Sequence, residues 1–220
     1  MRQHAIGTLG GAITLTLAVG GAAQAAFVNG SFETGNFANW VTQDLAAPFY
    51  PLSVETFGVN TFGWPWSSTP TDGIWTAFHG FDGDPTGGPN TIRIAQDLVI
   101  TAPTLAFDWR AAWDKTFGAT LARTFTVNVE VAGGGGNLQS DLILTAAPNT
   151  TVFDTGQTTS FVDVSAHLGQ FVRVSFDWLI PQPFTGPGQF QLDNVRLIPA
   201  PGVLALIALA GLTARRRRLA

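Results

Sequence analysis

An all-β body, built as a sandwich of antiparallel sheets, follows from three features of residues 26–198. Several stretches alternate apolar and polar residues with period two, clusters of glycine, proline, aspartate and asparagine separate them, and no helix-length amphipathic period interrupts them. Each half-apolar sheet must cover its face against another, and many short strands with turn punctuation do so as a sandwich.

In chain order, the strand candidates begin with Thr91 to Ile100 and Thr104 to Ala111. Phe125 to Val131 alternates strictly, placing one set of side chains in a core and the other toward water. Leu138 to Leu144 and Phe161 to Val164 follow, then Phe171 to Phe176, again with strict alternation, and finally Gln189 to Leu197. The run from Gly83 to Asn90 makes a loop. Gly133 to Gly136 has strand-like sequence on both sides, which favours a hairpin loop over an interdomain linker.

At the front, Arg2 and His4 precede a mostly apolar stretch from Ala5 to Ala23, and Ala23, Gln24 and Ala25 have the small-x-small form that a signal peptidase accepts. Residues 1–25 therefore read as a signal peptide, with the mature body starting at Ala26. Residues 199–220 carry Pro199, Ala200, Pro201 and Gly202, an apolar run from Val203 to Ala214, and Arg215 to Arg218. The twelve apolar residues fall short of the roughly 20 that span a bilayer, but counting from Pro199 with snorkelling arginines brings the tail closer to a transmembrane segment. Arginines retained on the cytoplasmic side would leave the body facing outward, with transient inner-membrane association through the tail.

The body between these ends is one domain's worth of chain. It holds all 15 acidic residues and 6 of the 11 basic ones, since Arg2 and the four tail arginines lie outside it, giving a formal charge of 6 − 15 = −9. Such a surface repels nucleic acid and anionic membranes. With no cysteine in the chain, disulfide stapling, thiol catalysis and thiolate metal sites are excluded.

The order of signal peptide, variable body, proline-bounded motif, short hydrophobic run and arginine cluster resembles the PEP-CTERM family of Gram-negative exported proteins, with Ala200 where the family's motif has glutamate. The resemblance implies a terminal sorting signal handled by an exosortase-like processing enzyme. It also implies a cell-surface or extracellular-matrix destination.

A second resemblance covers the body. Phe27 to Trp40 is similar to the opening of galactose-binding-like jelly rolls, the architecture of many carbohydrate-binding modules. Phe161 to Phe176 resembles their penultimate strand pair, and Gln189 to Leu197 their final strand. The implied fold is an antiparallel β-sandwich of jelly-roll type. The resemblance further implies a structural calcium ion held by Glu33 and Asp193, with Asn29 and Asp163 as neighbours. Calcium takes six to eight hard oxygen ligands and can recruit them from distant strands. The alternative reading is that Glu33 accepts turn hydrogen bonds and Asp193 lies on a solvated strand face.

Among other chemistries, His79 and His167 lack metal-ligand spacing, and the serines lack a nucleophile elbow. Glu33, Glu55 and Glu130 would need a partner carboxylate at controlled separation for glycoside hydrolysis. The aromatic residues are the stronger lead. Trp64 and Trp66 flank Pro65 in a loop rich in glycine, serine and proline, where exposed indoles would stack on sugar rings, with Tyr50 and Asp72 as loop partners. A wholly structural Trp-Pro-Trp corner is the competing reading. The function expected is a noncatalytic surface or matrix protein binding polysaccharide or another surface polymer. The alternatives are a structural matrix protein acting through protein contacts and a secreted glycoside hydrolase.

Overall fold

In the computed structural model, the structure describes residues 27–60, 66–81, 90–113, 119–148, 153–182 and 185–200. The expected signal peptide with its cleavage site, Trp64, and the tail from Pro201 onward lie outside the described residues.

Eleven strands and one short 3₁₀ helix make up the described chain: β1 Val41–Gln43, β2 Tyr50–Glu55, β3 Thr76–Phe81, β4 Thr91–Val99, β5 Thr104–Trp113, β6 Arg123–Val131, β7 Asn137–Ala146, β8 Phe153–Asp154, β9 Thr158–Asp163, β10 Phe171–Leu179 and β11 Gly188–Ile198, with the helix at Ser165–His167. They form two sheets, and every pairing is antiparallel. The front sheet has the order β1-β4-β10-β6-β7. The back sheet runs β2-β3-β11-β5-β8, with β9 also pairing with β5. This is the antiparallel sandwich that the alternating sequence predicts, of the jelly-roll type that the resemblance implies.

Period two sets the core. Ile92, Ile94 and Leu98 of β4, Phe125, Val127 and Val129 of β6, and Val172, Val174, Phe176 and Trp178 of β10 point inward from the front sheet. From the back sheet they meet Leu105, Phe107, Trp109, Ala111 and Trp113 of β5 and Phe190 and Leu192 of β11. The seam is aromatic: Phe107 meets Phe176 edge-on with centroids 5.0 Å apart, Phe125 meets Phe190 at 5.0 Å, and Trp178 stacks on Phe190 at 5.4 Å. Such pairs add to the burial of 150–250 Å² that each large ring brings. The tetraglycine turns β6 into β7, with Val131 N donating to Gly136 O at 2.9 Å, so the hairpin reading holds over the linker.

Residues 27–40 fold as a hook over one edge of the core. Trp40 stacks on Phe27 and Phe32, and its Nε1 donates to Asn29 O at 2.9 Å. Gly30 touches the bulge of β11, where Val195 N donates to Gly30 O at 3.0 Å and a Cβ on Gly30 would stand 2.2 Å from Val195 O. Only glycine permits that approach.

Sequence periodicity misses β1, β2, β3 and β8. β3 does not alternate because Ala77 and Phe78 are both fully buried: one faces the sandwich core, and the other is covered on the opposite side by Trp66, with Tyr50 and Val59 beside it. The expectation of a transmembrane segment is corrected: among the described residues, no helix is long and apolar enough to cross a membrane.

Candidate functional site

The residues expected to hold calcium separate into a clamp and an outlier. Asp193, fully buried on the outer side of β11, accepts through Oδ2 from Thr71 N at 2.7 Å, Thr71 Oγ1 at 3.2 Å and Asp72 N at 3.2 Å, and through Oδ1 from Asn194 N at 2.7 Å. Burial pushes its carboxyl up to about 6 against those hydrogen bonds. Glu33 grips the next residues of the same segment, its Oε1 accepting from Ile74 N and Trp75 N at 2.9 Å each. Gly73, at φ +77°, makes room for it, since a Cβ there would lie 2.2 Å from the Glu33 carboxyl carbon.

Asn29 supports the hook from below, accepting from Thr34 N at 3.1 Å and donating to Asn36 O at 2.9 Å. Asp163 belongs elsewhere, at the end of β9, where it accepts from Ser165 N at 2.9 Å, two residues on. Glu33 and Asp193 are hard oxygen ligands of the kind calcium takes. The groups bound to them are N–H and O–H donors, and among the described residues no group of three or more His, Cys, Asp or Glu side chains is placed to hold a metal ion. A calcium shell at this clamp would need backbone carbonyls to complete it.

The aromatic loop departs from expectation. Trp66 is 5% exposed and packs on Phe78 and Ala112, with Tyr50 and Val59 beside it. Phe78 meets the indole edge-on at 5.8 Å, and the Arg110 guanidinium lies 4.7 Å from the ring centroid while pairing with Asp154. Residues 66–72 form a strap across the outer face of the back sheet, pinned by Gln191, which receives Thr69 N at 2.8 Å and donates to Thr69 O at 2.7 Å. An indole used to seal a sheet face cannot stack on a sugar, so Trp66 is corrected from platform to structural corner. Tyr50 joins the same packing and donates its hydroxyl to Glu55 at 2.8 Å; burial, with Glu55 adding, raises its phenol. Asp72 sits at the clamp instead, accepting from Ser31 Oγ at 2.6 Å.

A polar constellation that the sequence reading did not assemble occupies the outer face of the front sheet. Register lines the outward residues in rows: Gln43, Arg93, Asp177, Thr126 and Leu142; Val41, Ala95, Ser175, Asn128 and Ser140; and Asp97, Arg173, Glu130 and Asn137. The middle row is short-chained at Ala95 and Ser175, and the long side chains of the outer two rows close over it.

Arg93 forks onto Asp177, Nε to Oδ1 at 2.9 Å and Nη2 to Oδ2 at 2.6 Å, and reaches Glu130 through Nη2 at 3.0 Å and Nη1 at 3.3 Å. Beneath this bridge Ser175 donates to Glu130 at 3.1 Å, Asn128 donates to Asp177 at 2.9 Å, and Ser140 donates to Asn128 at 2.7 Å. Arg173 forks onto Asp97 at 2.8 and 3.0 Å.

Exposure divides the network. Glu130 is 3% exposed, whereas Arg93 and Asp97 show 29% and 31% of their side chains to solvent. Burial raises the Asp177 carboxyl and Glu130 adds to the rise, both opposed by Arg93. The hydrogen bond from Arg173 holds Asp97 below the usual carboxylate range. Counting Arg93 and Arg173 against Asp97, Glu130 and Asp177 gives 2 − 3 = −1.

As chemistry, this face offers fixed hydrogen-bond acceptors and a partly open guanidinium. Ser175 is committed to Glu130. Glu130 and Asp177 both lie against Arg93 Nη2, at 3.0 and 2.6 Å, so the guanidinium fills the space a glycosidic bond would need. Glu33 is held in the clamp and Glu55 by Tyr50. His79 pairs with Asp44 at 2.6 Å and His167 with Gln139 at 3.1 Å.

No family model matches the chain, and no curated protein matches its sequence. Among solved structures, it is similar to TmCBM61, solved in complex with β-1,4-galactotriose, at 13% identity and TM-score 0.50, over 81% of this chain and 100% of that one. The K3 cleaved adhesin domain of Lys-gingipain from Porphyromonas gingivalis W83 matches at 15% identity and TM-score 0.47, over 78% and 98% of the two chains. A cyclase from Fischerella sp. TAU matches at 15% and 0.42, over 76% and 92%. At these identities the likeness is one of fold.

Proposed function

We propose that this chain is an exported, noncatalytic surface or extracellular-matrix protein that binds polysaccharide through the outer face of its front sheet. The observation that carries the reading is the Arg93–Glu130–Asp177 network on the side of the sheet turned away from the core. Forming a sandwich requires only one apolar face per sheet. Charged groups on the other face cost desolvation, and a hydrophobic replacement of a buried ion network is often neutral or stabilising. A rigid array of acceptors and donors is what orients sugar hydroxyls. The same fold in a galactotriose-bound module agrees with this reading. Protein contacts are the second reading, favoured by Leu142 and Phe171, which are 63% and 62% exposed.

Binding is tested by glycan-array screening followed by calorimetry on the parent, Gln43→Ala and Asp97→Ala. Both positions are on the open part of this face, so a loss of affinity of about fivefold or more at unchanged melting temperature is expected. Parent-like affinity in both variants, or no glycan bound by the parent, overturns the assignment.

Export follows from the small-x-small site at Ala23 to Ala25, and release by an exosortase-like enzyme from the motif at Pro199 to Gly202. Intact mass of the native protein should show a start near Ala26 and a lost or covalently altered tail. An unchanged 220-residue chain in the extracellular fraction refutes it.

A further inference from the structure

We infer that this face, taken as the polysaccharide site proposed above, selects uncharged glycans and rejects acidic ones. The inference rests on that reading and on how its charges are spent. An anionic sugar needs a cation with donors to spare, since carboxylate recognition runs through arginine forks. Both arginines of the face already fork onto an acid, Arg173 keeping only the Nη1 side beyond its fork. Arg93 places Nε, Nη1 and Nη2 on Asp177 and Glu130, and Arg173 places Nε and Nη2 on Asp97. The acceptors are in excess: three carboxylates face two guanidiniums, leaving a formal −1. Sugar hydroxyls donate to such oxygens, whereas a uronate or sulfate meets like charge at close range in a poorly solvated site.

Packing keeps the arginines from turning outward. Glu130 is buried beneath Arg93 and further held by Ser175, and Asp177 is fixed by Asn128, so freeing Arg93 would strand two acids without their cation. Arg173 is confined on its other side by the hairpin, where its Nη1 lies 3.0 Å from the position a Gly134 Cβ would take.

The test uses matched polymers that differ only in charge: polygalacturonate and alginate, each beside its carboxyl-reduced product, titrated against the mature protein. The reduced member of a pair should bind at least tenfold more tightly. The difference should persist in 1 M sodium chloride, where the screening length falls to about 3 Å and the general repulsion of an acidic body is removed.

Glu130→Gln keeps the side-chain shape while releasing Arg93 from one acid, and Asp97→Asn does the same for Arg173 at a more exposed position. At least one of the two, shown to be folded by its melting curve, should narrow the preference by about tenfold. Equal affinity for both members of a pair in the parent overturns the selectivity, and a preference that neither variant moves overturns its assignment to this face; either leaves glycan binding standing. No binding to any member of a neutral panel overturns the polysaccharide reading and this inference with it.

Discussion

Replacing Trp66 by alanine separates a structural tryptophan from a binding one. The indole is almost wholly buried against Phe78 and Ala112, and a large aromatic buries about 200 Å². At about 25 cal/mol per Å², that corresponds to roughly 5 kcal/mol, and allowing for a compact denatured state reduces it to about 3–4 kcal/mol. Loss of the Arg110 contact at 4.7 Å adds about 0.5–1 kcal/mol, because Arg110 keeps its salt bridge to Asp154.

The strap stays tied at Thr69 through Gln191 and at Ser68 through Val59, so the cavity should persist with little collapse. Urea denaturation of the body is the assay. With a slope of about 2 kcal/mol per molar, the midpoint should fall by roughly 1.8–2.5 M at unchanged slope. A loss below about 1 kcal/mol, or a stable variant with abolished glycan binding, would refute the structural assignment and return Trp66 to the ligand.

Three further outcomes follow from the hook and the clamp. Asp193 has its folded pKa raised to about 6 from 3.8, so the stability it contributes is fully present below about pH 4 and is lost as pH rises through about 6. The stability of the parent relative to Asp193→Asn should therefore decline across that window in pH-stepped melts, and a pH-independent difference refutes it. If calcium completes the shell at Glu33 and Asp193, melting at pH 8 should rise with calcium over chelator, more than at pH 5 and not in Glu33→Ala; identical melts for the parent remove the ion. Gly30→Ala places a methyl 2.2 Å from Val195 O, a backbone atom that cannot step aside, and should cost about 1–3 kcal/mol by denaturant titration; a cost under 0.5 kcal/mol would show that the hook is free to shift.

The strands legible in the sequence are those with one wet face and one dry one. β6 and β10 alternate because their inward residues meet the opposite sheet and their outward residues meet the polar network, and the predicted limits of β4, β5, β7 and β11 fall within two residues of those observed. β3 is buried on both sides by a strap that period-two reasoning cannot anticipate. β1 and β8 span three and two residues, too short for any period. The same strap explains the error at Trp66: glycine and proline around it mark irregular chain, but irregular chain laid over a sheet face, as residues 66–72 are, still buries a tryptophan.

The candidate site hides for a different reason. Its members were already visible as outward positions, with Asn128 and Glu130 in one alternating run and Arg173 and Ser175 in another, Asp177 one step beyond. Alternation says only that such residues share a face of their own strand. It says nothing of which strands are neighbours, and here β4 and β6 flank β10 although all three are far apart in sequence. Until that order is known, Arg93, Glu130 and Asp177 read as three separate solvated charges, each worth little. Register brings Arg93 opposite Asp177 and sets Glu130 two rows away, across the small side chain of Ser175 in the row between. A bulky residue at Ser175 would keep Arg93 and Glu130 apart, so a short side chain at the centre of the face, as well as its charges, decides whether the network closes.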